Sequence, residues 1–554
     1  MKTSALIPLG CFLTLSTAAA SGPAQKGEDV PGSDQEAFRV TTRLVVVNVV
    51  VHDKKGAPVA GLTRGAFTLL DGGKEEKISL FSVERRGAAH GSATPLSYHV
   101  FSNRVAREGE VPISVTAILL DGSETKFEDF AYARQQLIKF FTQLQPQDRV
   151  ALYVFGRQLR VIQDFTSAPS PLIEALQQSG NPAAGATDTS AQLESAAQAR
   201  SGASTLAALR FNTAIADLVT SRIQDYRRLG LLEALQAIAK HLSGLPGRKS
   251  IIWLTGAVPL PQSLPGSISK GGSNPLLEEN VQQTIRAMNQ ADVALFPVDA
   301  RGLFVDPAFK AENGAREAYE RGAYGTGLNA MTLVTQAMIY WGDETGGKAF
   351  YNTNDLPNAI RSALDDSQVT YTLGYYPTHG QWDGRYRAIK VRVNMRGVEV
   401  RHRQGYFAST AGAESVKKKD RMAALKEEAR NPLEATRVGV TVVVSPFKGA
   451  RGGYKLQIDI SADVKDLAFE HVNDRWRGLI DVLAGQYSKE GKSLGGTTKT
   501  LSLNMTNPTY REVMTNGLTI GLYQDVARGA EELRVVVRDG LSGATGSVKI
   551  PVRR

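Results

Sequence analysis

A chain of 554 residues is long enough for three or four domains, and 42% hydrophobic with 22% charged residues is the composition of packed globular units rather than of a disordered polymer. The formal net charge of +10 favours anionic contacts such as lipid headgroups or polysaccharides, but the basic residues are scattered and no nucleic-acid-binding motif is present, which argues against a nucleic-acid ligand. Cys11 is the only cysteine, so the rest of the chain can form neither a disulfide nor a thiolate metal site.

Residues 1–20 read as a secretory signal peptide. Lys2 supplies the positive start, an apolar run covers 5–15, and Ala18, Ala19, Ala20 and Ser21 suit cleavage. That run is shorter than the roughly 20 residues a membrane helix needs, and no later segment reaches about 18 consecutive apolar residues. Export to a secreted or periplasmic location is therefore expected, with no transmembrane span after processing. Gly10-Cys11 suggests a lipoprotein signal, which Pro8 opposes. Residues 21–37 are polar and rich in Gly and Pro, the composition of a flexible linker. Residues 38–105 read as a small β module. Its first strand is the β-branched run TRLVVVNVVV, and a hairpin follows that turns at Asp71, Gly72 and Gly73.

From 108 to 408 strand and helix signals alternate. Apolar strand runs fall at 113–120, 148–155, 159–165, 249–255 and 293–298. Between them, apolar residues recur at helical spacing over 127–144, 170–179, 229–245, 276–289, 331–341 and 355–364. This predicts a doubly wound, mostly parallel sheet covered on both faces, with edge strands free to run antiparallel. Residues 180–206 are rich in Ala, Gly, Ser and Thr and read as a flexible insertion. The pattern then changes to period two over 368–407, a β ribbon in which Ile389, Val391 and Val393 face away from Lys390, Arg392 and Asn394. A charged connector spans 409–434. Residues 435–554 contain strands at sandwich-like spacing with no clear long helix, which predicts an Ig- or fibronectin-like β-sandwich.

The first strand of the α/β region ends in Leu-Leu-Asp121-Gly-Ser123-Glu-Thr125. A parallel sheet places that loop at its carboxyl edge, where ligands bind in such folds. Asp121, Ser123 and Thr125 bring oxygen side chains to one tight loop. They suit either a hard cation or hydrogen bonds to loop amides and the next helix. The segment resembles the D-x-S-x-S start of the metal-ion-dependent adhesion site of von Willebrand factor type A domains, with Thr125 in place of the second serine. The resemblance implies a divalent cation held by Asp121, Ser123 and Thr125, by a threonine from a second loop and by an aspartate after a later strand, with an acidic ligand group completing the shell. Two departures weaken this. Gly256 follows KSIIWLT where that aspartate is expected, and Arg228, Leu229 and Gly230 offer no hydroxyl where the second-loop threonine is expected. The site is thus degenerate, and only weak binding of Mg²⁺ or another divalent cation is expected. Asp299, in Asp-Ala-Arg301-Gly after the strand 293–298, is either a substitute carboxylate or a loop anchor.

Longer segments, among them VNVVVHDKKGAPVAGL, VALFPVDARGL, DETGGKAFYNTNDL and YTLGYYPTHGQWDGRYRAIKVRV, together resemble the acidobacterial VWFA-related domain proteins over roughly residues 40–408. Nothing points to catalysis. None of the seven histidines has metal-protease spacing or a neighbouring nucleophile motif, Asp365-Asp366 are adjacent on a helix and point apart, and no phosphate-binding G-x-x-x-x-G-K-[ST] loop is present. Two functions remain: a noncatalytic, adhesion-type protein that binds a protein or cell-envelope ligand, or an extracytoplasmic hydrolase whose active site forms only in three dimensions.

Overall fold

The computed structural model describes residues 44–85, 100–104, 114–180, 206–245, 248–260, 275–303, 326–379, 383–409, 417–448 and 454–552. The expected signal segment 1–20, the linker 21–37 and nearly all of the insertion 180–206 lie outside them.

The chain opens with β1 (Val45–Asp53), β2 (Phe67–Asp71), β3 (Lys74–Glu76) and β4 (Ile78–Arg85). Gly72 and Gly73, both at positive φ, make the β2–β3 turn expected from the sequence. A short β5 (Val100–Ser102) follows. The α/β region then supplies β6 (Val115–Asp121), β7 (Val150–Phe155), β8 (Leu159–Thr166), β9 (Lys249–Thr255) and β10 (Val293–Asp299). They form one sheet in the order β10-β9-β6-β7-β8, parallel except for β8. The four parallel strands are buried along their whole length because helices cover both faces. Ala117 and Leu119 of β6 pack on one side, beneath α3 (Leu206–Leu242), α4 (Pro275–Ala291) and α5 (Thr326–Thr345). Ile118 and Leu120 pack on the other, beneath α1 (Phe127–Phe141), α2 (Pro169–Gln178) and α6 (Leu356–Asp365). The expected doubly wound α/β architecture is what forms.

β11 (Val369–Tyr375), β12 (Asp383–Val393), β13 (Val398–Arg401) and β14 (Gly405–Ser409) follow. The sequence suggests a ribbon attached to the α/β domain, separate from the N-terminal β module. The strand pairing corrects this. β1 lies between β11 and β13, and β12 pairs with β2, giving two four-stranded sheets of order β13-β1-β11-β4 and β14-β12-β2-β3. The two sheets share a core that includes Val47, Val49, Leu69, Tyr371, Leu373, Ile389 and Val391. The physical reason lies in β1. β1 is buried along nearly its whole length, so its backbone groups need partners; residues 45–49 find them in β11 and residues 50–53 in β13, both after the α/β domain.

The remainder comprises α7 (Lys418–Glu428), β15 (Val440–Lys448), β16 (Tyr454–Ala462), β17 (Glu470–Val472), β18 (Arg475–Tyr487), β19 (Ser493–Met505), α8 (Asn507–Asn516), β20 (Leu518–Asp525), β21 (Glu532–Asp539) and β22 (Thr545–Pro551). Two antiparallel sheets, one built on β20-β16-β15 and the other on β18, β21 and β22, enclose a single core. β5, which falls inside the expected N-terminal module, instead adds an edge strand to β15. Asn103 fixes it there, donating to the Ala435 and Val438 carbonyls at 2.7 and 2.9 Å and accepting from the Val440 amide at 2.8 Å.

The polar contacts that tie these β layers to the α/β domain gather at the amino ends of its parallel strands. Asn48 of β1 bonds to Asp292, just before β10. His52 of β1, Arg401 of β13 and Arg248, just before β9, converge on buried Asp366. Lys240, in the last turn of α3, pairs with Glu428, and His241 meets the Glu434 carbonyl at 2.5 Å.

Candidate functional site

The carboxyl ends of the same strands carry Asp121, Phe155, Thr255 and Asp299. Asp121 is fully buried. Its Oδ1 accepts from the Ser123 amide at 2.8 Å and the Ser123 hydroxyl at 2.7 Å. Its Oδ2 lies 2.8 Å from the Thr255 hydroxyl and accepts from the Trp253 indole N–H at 3.4 Å. The Thr255 hydroxyl is also 2.6 Å from the Ala257 carbonyl oxygen. Burial pushes the Asp121 pKa up, against the pull of the Ser123 and Thr255 hydrogen bonds. Thr125, the third expected ligand, accepts from the Gly256 amide at 2.8 Å.

The loop therefore brings Asp121 and Ser123 together and ties Thr125 to the end of β9. A resident divalent cation needs several oxygen ligands with open lone pairs. Here one carboxylate already receives hydrogen bonds on both oxygens, and the nearby hydroxyls are engaged with it or with backbone. At Gly256 the space for an aspartate is tight. A Cβ there would stand 3.0 Å from the Glu124 carbonyl oxygen and 3.2 Å from Thr125 Cα. The stretch 228–230, where a loop hydroxyl is expected, lies within α3 and is helical, and a Cβ on Gly230 would meet the Phe155 ring at 3.5 Å. Among the described residues no group of three or more His, Cys, Asp or Glu side chains is arranged to hold a metal ion. As arranged, the residues do not fit a resident cation.

Asp299 does not turn toward the loop site. Its Oδ1 accepts from the Arg301 amide and Nε at 3.0 and 2.9 Å, and its Oδ2 from an Arg301 terminal N–H at 2.8 Å. This is the loop-anchor geometry.

Sequence reasoning missed Thr255, Trp253 and the pair Glu124–Arg228. Thr255 closes the apolar run KSIIWLT, and a hydroxyl ending a buried strand beside an aspartate-ending strand was the available signal. Glu124 is largely buried, and its Oε2 lies 3.6 Å from Arg228 Nε. Burial is the main cause that pushes Glu124 up to about 7, opposed by Arg228 and assisted by the Asp121 charge. Nothing in the local sequence links Glu124 to a residue more than 100 positions away.

Residues 116–219 match the family model of the von Willebrand factor type A domain, so the chain carries a domain of that type. Among curated proteins none matches the chain. Solved structures with similarity include an aerotolerance-related membrane protein from Bacteroides fragilis (13% identity, covering 46% of this chain and 98% of that one, TM-score 0.22). Another is the PilB minor pilin from Streptococcus sanguinis (12% identity, 48% and 62%, TM-score 0.24). A third is the vWF domain of the type V pili tip protein Mfa5 from Porphyromonas gingivalis (13% identity, 47% and 94%, TM-score 0.18). The family match ends inside α3, and β9 and β10 complete the sheet beyond it.

Proposed function

We propose that this is an exported, noncatalytic interaction protein that binds a protein or cell-envelope ligand at the carboxyl edge of its von Willebrand factor type A domain, where the metal-ion-dependent adhesion site is degenerate. One observation carries this reading. The named polar contacts holding the β layers engage the amino ends of the parallel strands, on the side opposite Asp121, Thr255 and Asp299. Among the described residues, the edge where ligands bind in parallel α/β folds is therefore left to the loops. A secreted or periplasmic location follows from the signal-like segment 1–20, and the two antiparallel sheets over one core support an Ig- or fibronectin-like sandwich for 435–554. No helix among the described residues is long and apolar enough to cross a membrane.

The test is positional. A photo-crosslinking residue replaces exposed Lys126, next to the loop site, or exposed Lys54, just beyond the end of β1. Each variant is exposed to cell-envelope extract. Discrete adducts from position 126 and none from position 54 are expected. Adducts from position 54 alone would place the ligand on the β module and defeat the proposal.

A further inference from the structure

The strongest unexplained feature of the carboxyl edge is a cation that belongs to the chain itself. Arg228 lies one turn before Leu231 and Leu232 and two turns before Leu235, which pack into the core beneath α3, so it extends along the core side of the helix toward the strand ends. Its Nε is buried and makes no hydrogen bond, since Glu124 Oε2, at 3.6 Å, is beyond reach of one. Its side chain is still 29% exposed. Arg227 adds a second positive charge close enough to act on Glu124. Phe127, two residues past Thr125 at the end of the loop that carries Glu124, is 49% exposed and offers an apolar surface.

Resting on the ligand-binding reading above, we propose that Arg228 captures a carboxylate side chain of an acidic peptide segment directly, without a metal ion, and that Glu124 is the internal carboxylate this group displaces. A guanidinium presents a planar fork of N–H donors that matches a carboxylate bidentately. Glu124 makes a poor occupant because it meets the fork at 3.6 Å from inside the protein. An incoming carboxylate approaches the exposed side of the same fork, and its neighbouring residue covers Phe127. The chain's net charge of +10 draws such a ligand in.

The probe is a fluorescent oligoglutamate peptide carrying one phenylalanine, read by anisotropy in EDTA with the full chain. An oligoglutamine analogue and polygalacturonate are the comparison ligands. Saturable binding of the glutamate peptide is expected, weakened about tenfold or more in Arg228→Gln. In Glu124→Gln, binding should tighten. Circular dichroism confirms that both variants fold, and tighter binding by Glu124→Gln is a readout that loss of structure would not reproduce. Equal binding by Arg228→Gln, binding only with added Mg²⁺, or preference for polygalacturonate would each overturn the proposal. If the peptide fails while adducts from position 126 persist, this inference falls and the ligand-binding reading stands. If those adducts are absent as well, both fall.

Discussion

Gly256 is the residue at which restoration of a metal site can be tested against the packing. The substitution Gly256→Asp supplies the missing carboxylate, but its Cβ would sit 3.0 Å from the Glu124 carbonyl oxygen and 3.2 Å from Thr125 Cα. Both neighbours are backbone, so the 124–125 loop must move by a few tenths of an ångström. Overpacking of this kind costs about 1–3 kcal/mol. The new carboxylate also lies near buried Asp121, and two like charges in one dry site force one to stay protonated. The expected outcome in EDTA is a loss of at least about 1 kcal/mol in chemical denaturation, with less than about 1 kcal/mol recovered in excess Mg²⁺. Calorimetry should show no tight Mg²⁺ binding to either protein. The reasoning is refuted if the variant matches the parent in EDTA and gains about 2.7 kcal/mol from Mg²⁺ at a hundredfold excess over its dissociation constant. That result would mean the loop opens freely and the motif is one substitution from a working site.

Other predictions probe the framework. Asp366→Asn leaves Arg248 and Arg401 without their shared buried carboxylate and should destabilise by about 3–5 kcal/mol, read by urea denaturation. A Cβ at Gly347 would fall on the Leu295 carbonyl oxygen of β10, so Gly347→Ala should cost more than about 2 kcal/mol, whereas Gly65→Ala, with nothing near its Cβ position, should change little. Glu124 has a folded-state pKa of about 7 against an ordinary 4.5. Its contribution to stability is fully present below 4.5 and is lost as pH rises through about 7. Glu124→Gln should therefore be more stable than the parent above pH 7, by on the order of 1–3 kcal/mol, with the gain vanishing near pH 4.5 in melting curves taken across that range.

The sheet itself was legible because its strands are short apolar runs separated by helices with one apolar face, and burial on both faces leaves a continuous hydrophobic signature. The loop Asp121–Ser123 was legible because its hydrogen bonds are local. Pairings across long separations were not. β1 carries the information that it needs two partners, yet nothing in VVVNVVVHD names β11 and β13. The same holds for Val100–Ser102, whose three residues look like part of the preceding module until Asn103 is seen fixed to 435–440. α8 was missed within a run of strands, although Asn507-Pro508 at its start and Gly517 at positive φ after its end are ordinary helix boundary signals. Arg228 was read only for the hydroxyl it lacks, because a motif search asks which expected ligands are missing and not which charge has taken the place.

The topology explains why the contacts to the β layers gather at the amino ends of the parallel strands. Arg85, the last residue of β4, pairs with Val369, the first of β11, so the chain leaves and re-enters the β module at adjacent positions of one sheet. The α/β domain lies between these two points and is joined to the module where β11 follows α6. Asp366, three residues before that junction, gathers Arg248, Arg401 and His52 and fixes the amino ends of the strands against the module. β5, in the outgoing arm, is sewn into the C-terminal sheet and brings that layer to the same end, where Glu428 and the Glu434 carbonyl meet the last turn of α3. Parallel strands run away from this anchorage, so their carboxyl ends emerge on the far side. Among the described residues, the loop holding Asp121, Glu124 and Phe127 and the α3 segment holding Arg228 thus lie at the end away from this anchorage, on a base fastened at several points.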